Sequence, residues 1–146
     1  MNFYLKAYEE LTKAELYTIL RLRAEVFVVE QHCPFNDLDG LDEYSYHIQA
    51  FEGAKLVGYS RIISPGKLYE QPSIGRVVVD FEHRHTGHGK QVMQEAVRQC
   101  QSLYPSLEIK IMAQQYLQGF YESFGFKENG EPFLEDNIWH IDMLLS

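Results

Sequence analysis

The sequence has few cysteines, only Cys33 and Cys100 among 146 residues, and it contains no long apolar segment. Two cysteines are too few for a disulfide framework or a cysteine-based zinc site. No apolar run approaches the roughly 18 residues that a membrane-spanning helix requires. The N-terminus also lacks the basic and apolar regions of a secretory signal. We therefore expect a protein of the reduced cytoplasm that has no membrane partner.

Positive charge is also scarce, because 13 lysines and arginines stand against 21 acidic residues, which gives a formal net charge of −8. Nucleic-acid-binding proteins normally present a basic field to the phosphates, so this class is disfavoured. The acidity is compatible with a cationic small substrate and equally with a role in solubility alone. The hydrophobic fraction of 45% argues against disorder. Since no repeat or linker divides the chain, we expect one domain over residues 1–146.

The most informative segment is residues 74–90. Its first part, from Ile74 to Val79, is mostly β-branched and apolar and predicts a short buried strand. Gly87 and Gly89 then directly precede an amphipathic helix predicted over residues 90–103. Glycine allows close approach of the backbone, and the first N–H groups of a helix have no internal partners. The segment therefore predicts a binding site for an anion such as a phosphate.

Two common phosphate-binding motifs do not fit this segment. A P-loop requires glycine five residues before the Gly-Lys pair and serine or threonine after it, whereas this chain has Arg84 and Gln91. A dinucleotide fingerprint that starts at Gly87 requires glycine or alanine at position 92, which is Val92. Both ligand classes are therefore disfavoured.

Hydrophobic periodicity predicts the order β, α, loop, β, β, β, α, β, α, β, β. A capping box, Thr12 with Glu15, begins the first helix, which extends to residue 28 or 30. The carboxylate-rich loop that follows, residues 30–43, is either a lid over a site or an ordinary solvated loop. A mixed sheet with helices on its faces, an α/β fold, is the natural packing. The predicted strands are 2–8, 46–52, 55–63, 74–79, 107–112 and 138–145, with an extended segment after residue 126, and the later helices are 90–103 and 116–124.

Two motifs resemble those of one known family. Arg84-x-x-Gly87-x-Gly89 after an apolar strand resembles the pyrophosphate loop of the GNAT (GCN5-related) N-acetyltransferases, and the segment from Phe120 to Phe126 resembles their short helix that ends in an aromatic pair and Gly-Phe. Over nearly the whole chain the sequence resembles the ElaA-type branch. The resemblance implies the acyl-CoA N-acyltransferase fold, a central mixed and mostly antiparallel sheet flanked by helices.

The resemblance also implies acetyl-CoA as the co-substrate and no metal. The strand would offer backbone groups to the pantetheine arm, and the loop would bind the pyrophosphate through its amides. Gln114 stands where many members have an asparagine that contacts the coenzyme. Tyr121 matches the tyrosine that usually lies beside the coenzyme sulfur. The implied coenzyme-binding residues are Val77, Val78, Val79, Arg84, His85, Thr86, Gly87, His88, Gly89, Lys90, Gln114 and Tyr121.

Acetyl transfer requires a neutral amine to attack a thioester carbonyl. A backbone N–H of the central strand, with Val78 as the candidate, would stabilise the oxyanion. Tyr121 would protonate the leaving thiolate. The general base stays open, since several relatives have a glutamate near the start of this strand and residues 72–76 here contain none. The candidate bases are Glu30, His47, Glu135 and His140, and the candidate acceptor-site residues are Arg76, Glu30 and Glu135.

The sequence therefore predicts an acetyl-CoA-dependent N-acetyltransferase that acts on a primary amine of a small molecule or a peptide. The alternative is a catalytically silent acyl-CoA-binding or regulatory domain. Dimerisation is common in the family and is left open.

Overall fold

The structure, a computed structural model, describes residues 1–146. A π-helical segment, Ala24–Glu30, continues the first helix, and four 3₁₀ turns connect other elements. No helix is both long and apolar enough to cross a bilayer. The regular elements in order are β1 (Asn2–Ala7), α1 (Lys13–Arg23), β2 (Ser45–Glu52), β3 (Lys55–Ile63), β4 (Ser73–Val79), α2 (His88–Leu103), β5 (Ile109–Gln114), α3 (Gln118–Glu122), β6 (Lys127–Glu128), β7 (Phe133–Glu135) and β8 (Ile138–Leu145).

Most predicted elements are present within two residues of their expected bounds. The Thr12–Glu15 capping box is confirmed by both of its hydrogen bonds, at 3.0 and 2.9 Å. The helix predicted over residues 116–124 is instead a 3₁₀ turn followed by the single-turn α3. β7 was not predicted, because a strand of three residues is too short to produce a recognisable alternation.

The strands form two antiparallel sheets. The first has the order β1-β2-β3-β4 and the second has the order β5-β8-β6, with β7 also paired to β8. β4 and β5 start side by side, where the Lys110 N–H donates to the Pro72 carbonyl at 3.0 Å. No ladder continues from that point, so the predicted single mixed sheet is divided between these two strands.

The two long helices cover opposite faces of the first sheet. Met93, Ala96 and Cys100 of α2 pack in the main core together with side chains of both sheets. Ile19 and Leu22 of α1 pack in a second cluster on the other face. Cys100 is fully buried, and burial raises the pKa of its thiol to about 12. Cys100 is therefore a small core residue, and its burial keeps the thiol unreactive.

Candidate active site

A cleft of about 450 Å³ lies where β4 and β5 diverge. β4 is paired with β3 on its outer edge and β5 with β8 on its outer edge, whereas their facing edges have no ladder. Unpaired backbone groups on such edges are available to a ligand. A wider hollow of about 760 Å³ lies between α1 and the turn that joins β2 to β3, but none of the predicted site residues lines it.

Six of the predicted site residues line this cleft, although they come from distant parts of the chain. They are Arg76 and Val77 of β4, Gln114 of β5, Tyr121 of α3, Glu135 of β7 and His140 of β8. Val78, Glu30, His47 and the loop over residues 84–90 do not line it. Sequence patterns did not identify the apolar side chains that complete its wall, which include Phe27, Phe35, Ile111 and Ile138. Nothing in their local pattern distinguishes them from core residues.

A β-bulge shapes the β4 side of the cleft. Tyr59 pairs with Val78 and Arg61 pairs with Gly75, so one residue of β3 faces both Arg76 and Val77. Arg76 has a φ of 50°, in the left-handed region that non-glycine residues rarely occupy. A bulge of this kind bends the strand that contains it and leaves backbone groups without ladder partners. The register accordingly gives Arg76 and Val77 no partner on β3.

The same register corrects the prediction that the backbone N–H of Val78 stabilises the oxyanion. The Asp80 N–H donates to the Val57 carbonyl at 2.9 Å, which makes these residues a hydrogen-bonded pair. Hydrogen-bonded pairs recur at every second position of an antiparallel ladder, so Tyr59 and Val78 form the next one. The N–H of Val78 is therefore directed to β3 and away from the cleft. Its side chain is also buried, against α1.

Tyr121 lies in the cleft wall, in edge-to-face contact with Phe120 and Phe126. Its hydroxyl makes no hydrogen bond within the protein. Burial, and to a smaller extent Tyr116, raises the pKa of Tyr121 above its ordinary value. The phenol consequently keeps its proton at neutral pH and can donate it to a neighbouring atom.

His140 is the second polar group of the cleft, and it is only 7% exposed. Its Nδ1 lies 2.8 Å from the carbonyl oxygen of Ile138, which only accepts hydrogen bonds, so Nδ1 carries a proton. In the neutral ring Nε2 therefore presents a lone pair, and this nitrogen has no partner in the protein. Phe133 stacks on the imidazole at a centroid distance of 6.1 Å and fixes its plane.

Two candidate bases lie elsewhere. His47 is fully buried, its Nε2 donates to the Asp42 carbonyl at 2.9 Å and its Nδ1 accepts from the Tyr59 hydroxyl at 2.6 Å. Burial lowers the pKa of His47, and both nitrogens are occupied, so its role in this fold is structural. Glu30, at the end of the π-helix, has its carboxylate 2.7 Å from the Arg84 guanidinium. It is a partner of the predicted pyrophosphate loop and does not line the cleft.

The acidic loop is anchored by three arginines. Asp37 binds the fully buried Arg23 at 3.0 Å and Arg76 at 2.7 Å, and Asp42 binds Arg23 at 2.7 Å. Arg61 forms ion pairs with Asp39 and Asp42. Burial opposes the ionisation of Asp39, but the hydrogen bonds and charge of Arg61 outweigh it and lower the pKa of Asp39 to about 2. Arg76 therefore both faces the cleft and pairs with the loop, and the loop is ordered against the body of the fold.

The predicted anion site lies at the start of α2. Gly87 immediately precedes the helix with a φ of 83°, and no side chain caps the first turn. The first N–H groups of this 16-residue helix are thus available to an anion. The Arg84 Nε donates to the Val79 carbonyl at 3.1 Å, which ties the loop to the end of β4. Within this loop Thr86 donates to the His83 carbonyl, His88 contacts Glu52, and His85 and Lys90 are exposed.

Comparison with known proteins gives consistent matches. Residues 9–146 match the model of the acetyltransferase (GNAT) domain family. The protein ElaA of Escherichia coli is 40% identical over 93% of this chain and 90% of its own length. The crystal structure of ElaA superposes with a TM-score of 0.92, and that of an acyl-CoA N-acyltransferase from Pseudomonas aeruginosa superposes with a TM-score of 0.94 at 38% identity, each covering 99% of both chains. These structures share the fold of this chain over nearly its whole length.

Proposed function

Because this chain belongs to the GNAT family of acetyltransferases, in the branch that contains ElaA, we propose that it transfers an acetyl group from acetyl-CoA to a primary amine. Membership makes the chain an acyl-CoA-dependent acyltransferase. The amine attacks the thioester carbonyl directly, without an acyl-enzyme intermediate. One observation carries this proposal: a single cleft contains a hydroxyl and an imidazole nitrogen, neither of which has a partner in the protein.

The coenzyme lies along β4 in this proposal. The pyrophosphate accepts hydrogen bonds from the amides at the start of α2, where Gly87 and Gly89 leave room for close approach. The pantetheine arm pairs with the free inner edges of β4 and β5, where Val77, Val79 and Gln114 are in position. The thioester then lies in the cleft between Tyr121 and the bulge.

The N–H of Val77 is the proposed oxyanion donor. It takes the place of Val78, whose N–H is directed to β3. Val77 follows Arg76 in the bulge and lines the cleft. A backbone donor that is fixed before the reaction stabilises developing negative charge without reorganisation.

Proton transfer is assigned to the two unpartnered side chains. The Nε2 of His140 accepts the proton that the attacking amine loses, and the Nδ1 bond to Ile138 keeps the ring in the required tautomer. The Tyr121 hydroxyl then protonates the departing thiolate, and its raised pKa keeps it protonated at neutral pH until that step. Glu135 lies in the same cleft and interacts with the acceptor.

The test is the release of free coenzyme thiol by purified protein with a panel of amines. His140→Gln and Tyr121→Phe should each lower kcat by about 10²- to 10⁴-fold. Calorimetric titration should find coenzyme binding unchanged in both variants, because neither group is needed to bind the pyrophosphate. His32→Asn and Tyr17→Phe are matched controls outside the cleft, and both should behave as the wild type.

Two results would overturn the proposal. If both cleft variants keep the wild-type kcat, the acid and base assignments are wrong. If the wild type binds the coenzyme but releases no thiol with any amine, the protein is an acyl-CoA-binding module.

A further inference from the structure

We propose that the acceptor is an amine with a second cationic group, which Glu135 and Asp136 bind at the mouth of the cleft. This inference rests on the proposed amine transfer and specifies its substrate class. A diamine or the side chain of a basic compound has the required chemistry, with one nitrogen neutral for attack and the other charged.

The charge balance of the cleft supports this class of acceptor. Glu135 and Asp136 both line the cleft, are exposed, and form no ion pair or hydrogen bond within the protein. Arg76 is the one arginine or lysine in the lining, and its charge is already matched by Asp37 at 2.7 Å and Asp39 at 3.4 Å. The uncompensated charge of the cleft is therefore negative, and it attracts a cation.

The two carboxylates belong to a rigid turn. Glu135 pairs with Ile138, and the two residues between them, Asp136 and Asn137, have φ values of 51° and 61°. Positive φ at both central residues is the signature of a type I′ hairpin, the turn that suits the twist of two adjacent strands. A hairpin of this kind holds Glu135 and Asp136 in a fixed position relative to β8.

The hairpin also sets the distance between the carboxylates and the proposed base. Directly paired residues face the same side of a sheet, so Glu135, Ile138 and His140 lie on one face. Glu135 and His140 are diagonal neighbours, whose backbones are about 7–8 Å apart. His140 is more than nine-tenths buried and its Nε2 has no partner. An acceptor whose attacking amine lies beside the Nε2 of His140 and whose second cation lies beside Glu135 therefore needs only a short alkyl linker between its two nitrogens.

The apolar wall of the cleft suits such a linker. Phe27, Phe35 and Tyr116 line the cleft, and their rings provide apolar surface for methylene groups. Two exposed carboxylates, apolar walls and a buried base together describe a site for an extended cationic amine.

The test compares three acceptors that share an alkyl amine and differ at the far end: the diamine cadaverine, neutral n-hexylamine and anionic 6-aminohexanoate. Thiol release should show kcat/KM highest for cadaverine, about tenfold above n-hexylamine if two exposed ion pairs form, and lowest for 6-aminohexanoate. Added salt should reduce the difference because it screens exposed charges.

Two matched double variants separate the effect of the cleft carboxylates from the effect of the negative charge of the whole protein. The double variant Glu135→Gln with Asp136→Asn should lower kcat/KM for cadaverine to the level of n-hexylamine. Asparagine also tolerates the positive φ of residue 136. The control double variant, Glu9→Gln with Glu131→Gln, removes two exposed and unpaired acids elsewhere, and it should keep the preference.

The outcomes are distinguishable. Thiol release from n-hexylamine that equals or exceeds release from cadaverine overturns this inference and leaves the amine transferase intact. A cadaverine preference that survives in the Glu135/Asp136 double variant also overturns it. Absence of release with every amine overturns the proposed function, and this inference with it.

Discussion

Asp37 provides the sharpest test of how the acidic loop is held. Its carboxylate accepts hydrogen bonds from Arg23 at 3.0 Å and from Arg76 at 2.7 Å, while its backbone carbonyl accepts one from each. The change Asp37→Asn preserves the shape of the side chain and the bonds to the carbonyl. It removes the negative charge and forces an amide NH₂ towards one of the two guanidinium groups.

The size of the expected loss of stability depends on the partners that Arg23 and Arg76 keep in the variant. Arg23 is fully buried and still has Asp42 at 2.7 Å, and Arg76 is partly exposed and recovers contact with water. Breaking a buried ion pair by removing one partner costs about 3–5 kcal/mol, and the remaining partner places this case at the lower limit. We therefore expect the free energy of unfolding to fall by about 3 kcal/mol and Tm to fall by roughly 10 °C.

Urea unfolding monitored by circular dichroism measures this change, provided that the m value stays constant. Asp136→Asn is the matched control, because Asp136 is exposed and unpaired, and its effect should stay within about 0.5 kcal/mol. A loss below about 1 kcal/mol for Asp37→Asn would refute the reasoning. It would mean that water replaces the carboxylate and that the ion pairs do not hold the loop.

The same variant should affect catalysis selectively. Asp37 orients Arg76, and Phe35 belongs to the same loop and also lines the cleft. A loosened loop should raise KM for the acceptor. The coenzyme Kd should not change, because the hydrogen bonds and ion pairs of Asp37 go to Arg23 and Arg76 and none goes to the loop over residues 84–90. A weaker affinity for the coenzyme would contradict this separation of the two sites.

Three further predictions concern other parts of the molecule. A Cβ at Gly58 would lie 2.9 Å from a methyl group of buried Val92, so Gly58→Ala should lower the free energy of unfolding by about 1–3 kcal/mol in a urea titration. Gly75→Ala is the control and should have little effect, because a Cβ at Gly75 would have no atom within 4 Å. Gly89→Ala should leave stability unchanged, since the side-chain atom nearest to the added Cβ is 4.0 Å away. It should weaken coenzyme binding in calorimetry about tenfold, because the methyl group blocks close approach of the phosphate to the backbone. An unchanged Kd would argue against the anion site. Burial lowers the pKa of His47 in the folded chain, so the unfolded chain takes up the proton first as the pH falls. The free energy of unfolding should therefore be fully retained above the unfolded pKa of about 6.5 and fall by up to about 1.4 kcal/mol per pH unit below it. A urea midpoint that stays constant from pH 7.5 to 5.5 would contradict this.

Local features of the site could be predicted from the sequence because they depend on neighbouring residues. The strand over residues 74–79, the two glycines at the start of α2 and the short aromatic helix each have a pattern within a few positions. The choice between Val77 and Val78 as the oxyanion donor depends on more than the local sequence pattern. Three consecutive valines are indistinguishable in a pattern, and the bulge at Arg76 decides which N–H faces the cleft. That bulge is visible only in the register of β3 on β4.

The proposed base depends on contacts that no local pattern reports. His47 and His140 are both histidines on strands, and the sequence offers no reason to prefer either. The structure gives His47 two partners and leaves the Nε2 of His140 with none. The arginines of the acidic loop show the same limit, since Arg23, Arg61 and Arg76 come from three separate elements. Only the folded chain brings their charges to Asp37, Asp39 and Asp42.

The acidic loop and the open cleft are connected through Arg76. A left-handed conformation costs a non-glycine residue about 1–2 kcal/mol, and Arg76 adopts it at the bulge that bends β4. The Arg76 guanidinium donates to the Asp37 carboxylate at 2.7 Å and to the Asp37 carbonyl at 3.2 Å. Two charge-assisted bonds of about 1.5–3 kcal/mol each exceed this cost. Glycine at this position would relieve the backbone strain but would lose the ion pairs. The residue that is strained is therefore the one that the loop holds, and the loop stabilises the bend that leaves the inner edge of β4 free for a ligand.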